Sequence, residues 1–393
     1  MIMLLEISLI LIGVFFLIYF SYFVLVLRTN KKKEYIERLN RIIENPINPQ
    51  ELPDVTVLIP TYNEENTIHA KIRNISEFNY PSNKIQIFVV DDDSRDKTRE
   101  IAKSAFKEFG VKGRILRNEK RSGVNASYNR AVMEANTEYI MTTDADAIVP
   151  SDSLLKAVKV LMSLEDVGGV AARMVPVHNK TTSATRTAVA YANSYNEMLV
   201  AESAIVSTFP GSTSCMLMRK SAFSPISTSY GSSDGNISLS FIKRGYRFIF
   251  APNISYNEPI SLDLLEQQRQ KIRRASRLIQ STLLNFNMFF AKKSNKFNII
   301  IFPLRLLMMT LCPVLVLVSI LFFIAFAYFT SLLLFSIFLL CAILVLVLGI
   351  RTDVKILNII ASFLIHQTYL CVGFFMSFRK MSVWESIKRK PVS

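Results

Sequence analysis

What most constrains this chain is where its apolar residues lie. From Ile2 to Leu27 the only charged side chain is Glu6, and between Asn298 and Phe378 there are four, Arg305, Arg351, Asp353 and Lys355. About 20 apolar residues, rising about 1.5 Å each in a helix, cross a hydrocarbon core ~30 Å thick. Both ends are long enough to span a bilayer. The N-terminal run lacks a basic start and a small-residue cleavage site, so it reads as a retained helix rather than a signal peptide. Arg28, Lys31, Lys32 and Lys33 behind it place that end on the cytoplasmic side. Further spans are expected near 299–325, 331–350 and 356–378. Three crossings would carry the basic tail from Arg379 to Lys390 outside, against the positive-inside tendency, and the last segment holds Asn358, His366 and Gln367. Two to three C-terminal spans are therefore expected.

The charge follows the same division. Of 393 residues, 46 are Lys or Arg and 31 Asp or Glu, a net +15. Residues 28–41 carry +4, 262–296 carry +6 and 379–393 carry +4, whereas 42–261 hold 24 charges of each sign. A nucleic-acid protein carries its basic face on the folded domain; here it flanks apolar spans, so anionic membrane lipids are the expected partners and nucleic acid is not. Cys215, Cys312, Cys341 and Cys371 show no paired spacing, which argues against a disulfide framework or a zinc site. With half the residues hydrophobic, a disordered chain is excluded as well.

The pattern predicts an N-terminal transmembrane helix over 1–27, a basic connector over 28–53, a folded domain over 54–261, a basic interfacial helix region over 262–296 and a C-terminal membrane region over 297–393. Pro46, Pro49 and Pro53 end the connector. VTVLIP (Val55 to Pro60) is a continuous apolar run, as in a strand buried on both faces. A helix from Glu64 to Glu77, a strand from Ile85 to Val90, a helix from Asp96 to Phe109 capped by Gly110, a strand near Arg114 to Arg117, a helix from Ala126 to Ala135 and a strand from Glu138 follow. A short strand after Gly245 closes the domain. This alternation predicts an α/β fold with a doubly wound, mostly parallel sheet, whose ligands bind beyond the carboxyl ends of the strands.

The acidic clusters fall at those ends. Asp144 and Asp146, just past a buried strand, are spaced so that both can approach one divalent cation whose other ligands are phosphate oxygens and water. A loop acid and a helix cap fit the same residues, since Asp144 and Asp152 both precede possible helical turns. Asp91, Asp92 and Asp93 are three adjacent carboxylates that repel one another; hydrogen bonds from a ligand such as a nucleobase N–H would favour them, and a solvated cap of the next helix is the other reading, preferred for Asp93. In PTYNEE, Thr61, Asn63 and Glu64 put short polar groups at a helix start, suited to a ribose or to phosphates. His69 and His178 are isolated, and no P-loop or dinucleotide fingerprint occurs.

PTYNEENT, VVDDDSRDKT, RSGVNASYNRAVMEANTEYIMTTDAD and GSSDGNISLSFIKRGYRF resemble, in order and spacing, the membrane-associated family 2 inverting glycosyltransferases, which include cellulose and hyaluronan synthases and dolichyl-phosphate mannose synthases. The resemblance covers roughly residues 54–277. It implies a nucleotide-sugar-binding glycosyltransferase A-type fold, with Pro60, Thr61, Asn63, Glu64, Asp91, Asp92, Gly123 and Asp144 around a nucleotide diphosphate sugar, UDP favoured and GDP possible. Asp91 or Asp92 would contact the base, and Asp144 and Asp146 would hold Mg²⁺ or Mn²⁺ on the diphosphate. Asp234 would be the general base; Ser233 stands where the family often has Glu. Gly211 matches an acceptor-side glycine, and Gln270, Arg273 and Arg274 match a Q-x-x-R-W signature with Arg in place of Trp. That last change points away from a processive polysaccharide synthase, toward an acceptor bearing a lipid phosphate or a short glycan. The rival readings are a nucleotidyltransferase and an inert nucleotide-sugar-binding membrane scaffold. The catalytic domain of such an integral membrane protein is expected in the cytoplasm.

Overall fold

A computed structural model describes residues 2–178, 183–211, 213–259, 263–290, 295–351 and 354–380. The basic tail beyond Lys380 lies outside the described residues. The chain divides into two compact units, a sheet unit built on Thr29–Asn179 and Ala192–Ser261 and a helical unit built on Met1–Arg28, Lys180–Tyr191 and Leu262–Arg379.

The sheet unit holds seven strands, β1 (Val55–Thr61), β2 (Ile85–Asp91), β3 (Gly113–Arg117), β4 (Tyr139–Thr143), β5 (Val167–Val177), β6 (Cys215–Arg219) and β7 (Arg247–Pro259), in the order β3-β2-β1-β4-β6-β5-β7. All neighbours are parallel except β6, which runs against both β4 and β5. The helices between strands are α3 (Ile68–Ser76), α4 (Thr98–Glu108), α5 (Val124–Glu134), α6 (Ser153–Ser163), α7 (Ser183–Ile205), which contributes to both units, and α8 (Ser233–Lys243).

β1 is central and apolar because it is buried on both faces: every residue but Pro60 is buried. Its pairing with β2 runs to Thr61↔Asp91, whereas its pairing with β4 stops at Leu58↔Thr142. The strands therefore part at their carboxyl ends between β1 and β4. The chain order also reverses there, with β2 and β3 on one side and β4 on the other, the place where open α/β sheets bind ligands.

Three expectations are corrected. All but Arg28 of the 28–53 segment is part of the sheet unit: in α2 (Lys31–Glu44) Leu39 is buried in the sheet core, Tyr35 donates to the Phe250 carbonyl at 2.9 Å, and the Lys159 ammonium donates to the Ile43 and Asn45 carbonyls. The helix expected from Glu64 starts only at Ile68, because Asn63 takes a left-handed φ of 55° and residues 64–67 form a polar turn. The closing strand β7 is 13 residues long rather than short, because it pairs with β5 along nearly its whole length.

In the helical unit, α1 (Ile2–Tyr22) continues through a π-turn to Leu27, and α10 (Phe302–Thr330) follows a π-turn from Phe297. These two helical stretches, 26 and 34 residues, are the ones among the described residues long and apolar enough to cross a membrane. They pack on each other: Ser8 donates to the Ser319 carbonyl at 3.0 Å and Ser319 to the Ser8 carbonyl at 2.9 Å, a reciprocal pair that satisfies two hydroxyls among apolar side chains. α11 (Leu332–Arg351) and α12 (Lys355–Met376) contain shorter apolar stretches, Phe335–Gly349 and Phe363–Met376.

In α9 (Leu264–Leu284) residues 276–282 are buried in the helical unit. Gly373 of α12 explains the close packing: a Cβ there would meet Ala275 Cβ at 2.9 Å and the Ser276 nitrogen at 3.1 Å. Gln280 of α9 donates to the Ser377 and Arg379 carbonyls, satisfying groups that the end of α12 leaves open.

Candidate active site

The first two loops at the carboxyl edge are tied to one another. The Asn63 amide donates to Ser94 Oγ at 3.0 Å, and Asn63 Oδ1 accepts the Arg95 amide at 2.9 Å. The Glu64 amide donates to Thr98 Oγ1 at 2.8 Å and the Glu65 amide to Asp96 Oδ2 at 3.1 Å. Glu64 Oε2 accepts the Thr67 hydroxyl at 2.6 Å. Thr61 Oγ1 donates to the Val90 carbonyl, and its own carbonyl accepts the Asp92 amide. Hence the short polar residues of PTYNEE and DDDSRD first of all satisfy each other's backbone at the starts of α3 and α4. Pro60, Thr61, Asn63 and Glu64 form one shelf with them.

The carboxylates of the second cluster have separate partners. Asp91 is fully buried; it accepts Arg99 Nη1 at 3.0 Å and the Ser94 amide at 3.3 Å. Its charge is thus paired within the turn. Asp92 is 6% exposed and accepts Asn118 Nδ2 and the Ser122 and Gly123 amides, all at 2.8 Å. It thereby fixes the turn into α5, where Gly123 adopts φ 87° and ψ 163°, a region open essentially to glycine alone. Asp93, at φ 64°, pairs with Arg117 at 3.2 Å. Beside this cluster the Arg121 guanidinium stacks over the Tyr62 ring at 3.7 Å.

Asp144 and Asp146 lie in a turn at the end of β4, closed by the Ala147 amide donating to the Asp144 carbonyl at 3.3 Å. Both are half-buried, and neither opens a helix; the capping position of α6 falls to Asp152, which pairs with Lys156 at 2.6 Å. Behind the turn, Ile148 and Asn257 exchange backbone hydrogen bonds at 2.9 and 2.7 Å. Among the described residues no three His, Cys, Asp or Glu side chains gather as an all-protein metal cage. Two carboxylates are hard oxygen donors of the kind that Mg²⁺ or Mn²⁺ takes beside phosphate and water oxygens, so the chemistry of these residues fits such an ion.

Asp234 sits in the first turn of α8, 7% exposed, where Ser232 caps the helix by accepting the Gly235 amide at 3.1 Å. Its Oδ2 accepts the Thr213 amide at 2.9 Å and its Oδ1 the Ser233 hydroxyl at 3.2 Å. One residue on, the Ser214 carbonyl accepts the Asp144 amide at 3.2 Å, and Ser214 Oγ donates to Glu258 Oε2 at 3.1 Å. A single segment, Thr213–Ser214, thus ties the Asp144 turn to Asp234. Tyr128 of α5 lies near both: burial raises its pKa well above the usual tyrosine value, and the negative charges of Asp144 and Asp234 add to the shift. α5 also holds the approach to α8, through Asn125 to the Ser227 and Gly231 carbonyls and Asn129 to the Ile226 backbone. Gly211 donates its amide to the Tyr195 hydroxyl at 2.7 Å.

The shelf of Pro60, Thr61, Asn63 and Glu64, with Asp92, Gly123, Asp144, Asp146, Gly211 and Asp234, therefore belongs to the sheet unit. Gln270, Arg273 and Arg274 belong to the helical unit, on α9, whose Lys271 ammonium faces the rings of Tyr191 at 5.6 Å and Tyr369 at 5.8 Å. Burial, and then the nearby charge of Arg274, lower the Lys271 pKa to about 8.

Sequence reasoning passed over Lys71, Asn74, Asn125, Asn129 and the Thr213–Ser214 link. A signal existed for Lys71: it occupies the i+3 place in the apolar stripe of Ile68, Ile72 and Ile75, where a charge has to be buried.

Residues 56–226 match the profile described as glycosyl transferase family 2. A beta-monoglucosyldiacylglycerol synthase of Trichormus variabilis is 36% identical over 124 residues, 31% of this chain and 26% of that protein. A dolichol-phosphate mannosyltransferase of Pyrococcus furiosus is 31% identical over 117 residues, 29% of this chain and 31% of that protein. The chain thus spans about a quarter to a third of the length of these curated relatives. In fold it resembles the mannosyltransferase PcManGT from Pyrobaculum calidifontis, solved with GDP-Man and Mn²⁺, at a TM-score of 0.72 and 23% identity over 95% of this chain and 99% of that one. Residues 56–226, which form most of the mostly parallel seven-stranded sheet, are thus a glycosyl transferase family 2 domain.

Proposed function

We propose that this chain is a membrane-bound inverting glycosyltransferase that moves a sugar from a nucleotide diphosphate sugar to a lipid-linked or glycan acceptor, with the sheet unit on the cytoplasmic face. One observation carries the reading: Thr213–Ser214 joins the Asp144 turn to the Asp234 carboxylate. A group that can hold a diphosphate and a group that can take a proton are thereby held in register.

In this reading the nucleotide lies on the shelf of Pro60, Thr61, Asn63 and Glu64, with Asp92 and Gly123 at the base end. Asp144 and Asp146 hold Mg²⁺ or Mn²⁺, which would offset the charge that develops on the departing diphosphate. Asp234 accepts the proton of an acceptor hydroxyl as its oxygen forms a bond to the anomeric carbon. The bond to the diphosphate breaks on the opposite face, which inverts the configuration. The Thr213 amide and Ser233 hydroxyl orient the carboxylate. An acceptor phosphate, already ionised, would not need the base.

A GDP donor is consistent with the GDP-Man bound in PcManGT, and a UDP donor rests on the family resemblance. Membrane attachment is supported by the two long apolar helices and by relatives named for lipid acceptors. For Gln270, Arg273 and Arg274 the acceptor role rests on the sequence signature alone. Where a processive enzyme would place Trp, Arg274 suits an acceptor phosphate better than a growing sugar chain. Sizing the products extracted from membranes supplied with labelled UDP- and GDP-sugars tests this: one or a few sugars on a lipid is expected, and a long polymer would overturn it.

A further inference from the structure

Lys71 and Asn74 lie one turn apart on α3, and both reach the loop that carries Asp144 and Asp146. The Lys71 ammonium is fully buried and donates to Thr143 Oγ1 and to the Ala147 carbonyl, each at 2.7 Å. Those two acceptors flank the tripeptide Asp144–Ala145–Asp146 on either side. Asn74 donates its Nδ2 to the Val149 carbonyl at 2.8 Å and accepts the Val149 amide at 2.9 Å. The loop is thus fastened at both of its ends by one face of one helix.

We infer that Lys71 and Asn74 are positioning residues for the divalent cation, setting the spacing of the Asp144 and Asp146 carboxylates from beneath. This rests on the reading that those carboxylates hold the ion.

The packing alone does not call for a lysine here. The position belongs to an apolar stripe that Leu or Met would fill without desolvating a charge. What a lysine adds is two directed hydrogen bonds and a positive charge beside Asp144, which with Cys215 is the titratable neighbour of its ammonium. A cation site made of only two protein ligands depends on the angle between them, so side chains that orient such ligands control affinity nearly as much as the ligands do. α3 also begins at the Asn63–Thr67 turn, so the same helix links the donor shelf to the cation loop.

The test is a Mn²⁺ titration of the full chain in detergent with UDP present, following the free-ion signal by electron paramagnetic resonance. Lys71→Met is expected to raise the Mn²⁺ midpoint about tenfold or more, and Asn74→Ala in the same direction by about threefold, as loss of ligand-orienting partners does. At saturating Mn²⁺ the KM for the nucleotide sugar should stay near that of wild type, whereas general loosening of the fold would worsen it at every Mn²⁺ concentration. Unchanged midpoints in variants that melt as cooperatively as wild type would overturn the inference. Should Lys71→Met not fold, Asn74→Ala decides by the same criterion. Wild-type protein that takes up no Mn²⁺ beside UDP would overturn the cation reading itself, and this inference with it.

Discussion

Side chains that look like ligands in the sequence divide, in the structure, into those facing the edge of the sheet and those that hold the edge together. Asp91 belongs to the second kind, since it is buried against Arg99. Removing Arg99 would leave the buried Asp91 carboxylate without its countercharge, a loss of about 3–5 kcal/mol for such pairs. Asp234 is held by an amide and a hydroxyl and keeps a small exposed surface. Asp234→Asn preserves an acceptor for the Thr213 amide but cannot take a proton. It should lower kcat by about 10²–10⁴ for a hydroxyl acceptor while leaving donor and Mn²⁺ affinity in place; steady-state kinetics with a parallel Mn²⁺ titration separates the two effects. Lys71 makes a different prediction. Burial lowers its pKa from 10.5 to about 8, with Cys215 and Asp144 opposing the shift. Between those values the unfolded chain holds a proton that the folded chain has released, so this group's contribution to stability rises with pH across that window. Cys215, pushed by burial up to about 12, contributes a fall from about 9 upward. The stability of Lys71→Met relative to wild type should therefore decline from pH 8 to pH 10, measured as the difference in thermal midpoints.

At the level of elements, the parallel strands and their helices were legible because β1 and β2 are apolar runs ending in polar clusters, and period and punctuation carry that information. β5 and β6 were not. β5 contains Gly168 and Gly169 and ends in half-buried residues, so no clear period marks it, while the antiparallel direction of β6 is set by tertiary pairing with β4 and β5. The start of α3 was misplaced for a similar reason: Asn63 in the left-handed region and the hydrogen bonds to Ser94, Arg95 and Thr98 come from a loop some 30 residues away in sequence. In the candidate site Asp144 and Asp146 stood out through chemistry and spacing, and Asp234 through the family resemblance. Lys71, Asn125 and Asn129 did not, since their partners, backbone groups and the Thr143 hydroxyl, are brought near only by the fold. The α9–α12 packing gives this scale its own prediction. Gly373→Val forces a branched side chain into a place where even a Cβ meets Ala275 at 2.9 Å. Overpacking of this kind costs typically about 1–3 kcal/mol. A lower thermal midpoint of the detergent-solubilised protein, with the Mn²⁺ midpoint unchanged, is the expected outcome.

For the molecule as a whole, +14 of the net +15 lies in three basic segments beside the apolar stretches, and the 42–261 region is neutral. That distribution suits a chain whose membrane-facing segments meet anionic lipid while its sheet unit handles a negatively charged donor through a cation rather than through a basic cleft. The account stands or falls on group transfer at the sheet edge. The most direct measurement is release of UDP or GDP by the purified full chain with Mn²⁺, across a panel of UDP- and GDP-sugars and a membrane-lipid acceptor fraction, with Asp144→Asn and Asp234→Asn alongside. The account expects release from at least one sugar nucleotide, dependent on Mn²⁺ or Mg²⁺ and lost in both variants. No release from any donor, or release that both variants leave untouched, would contradict it.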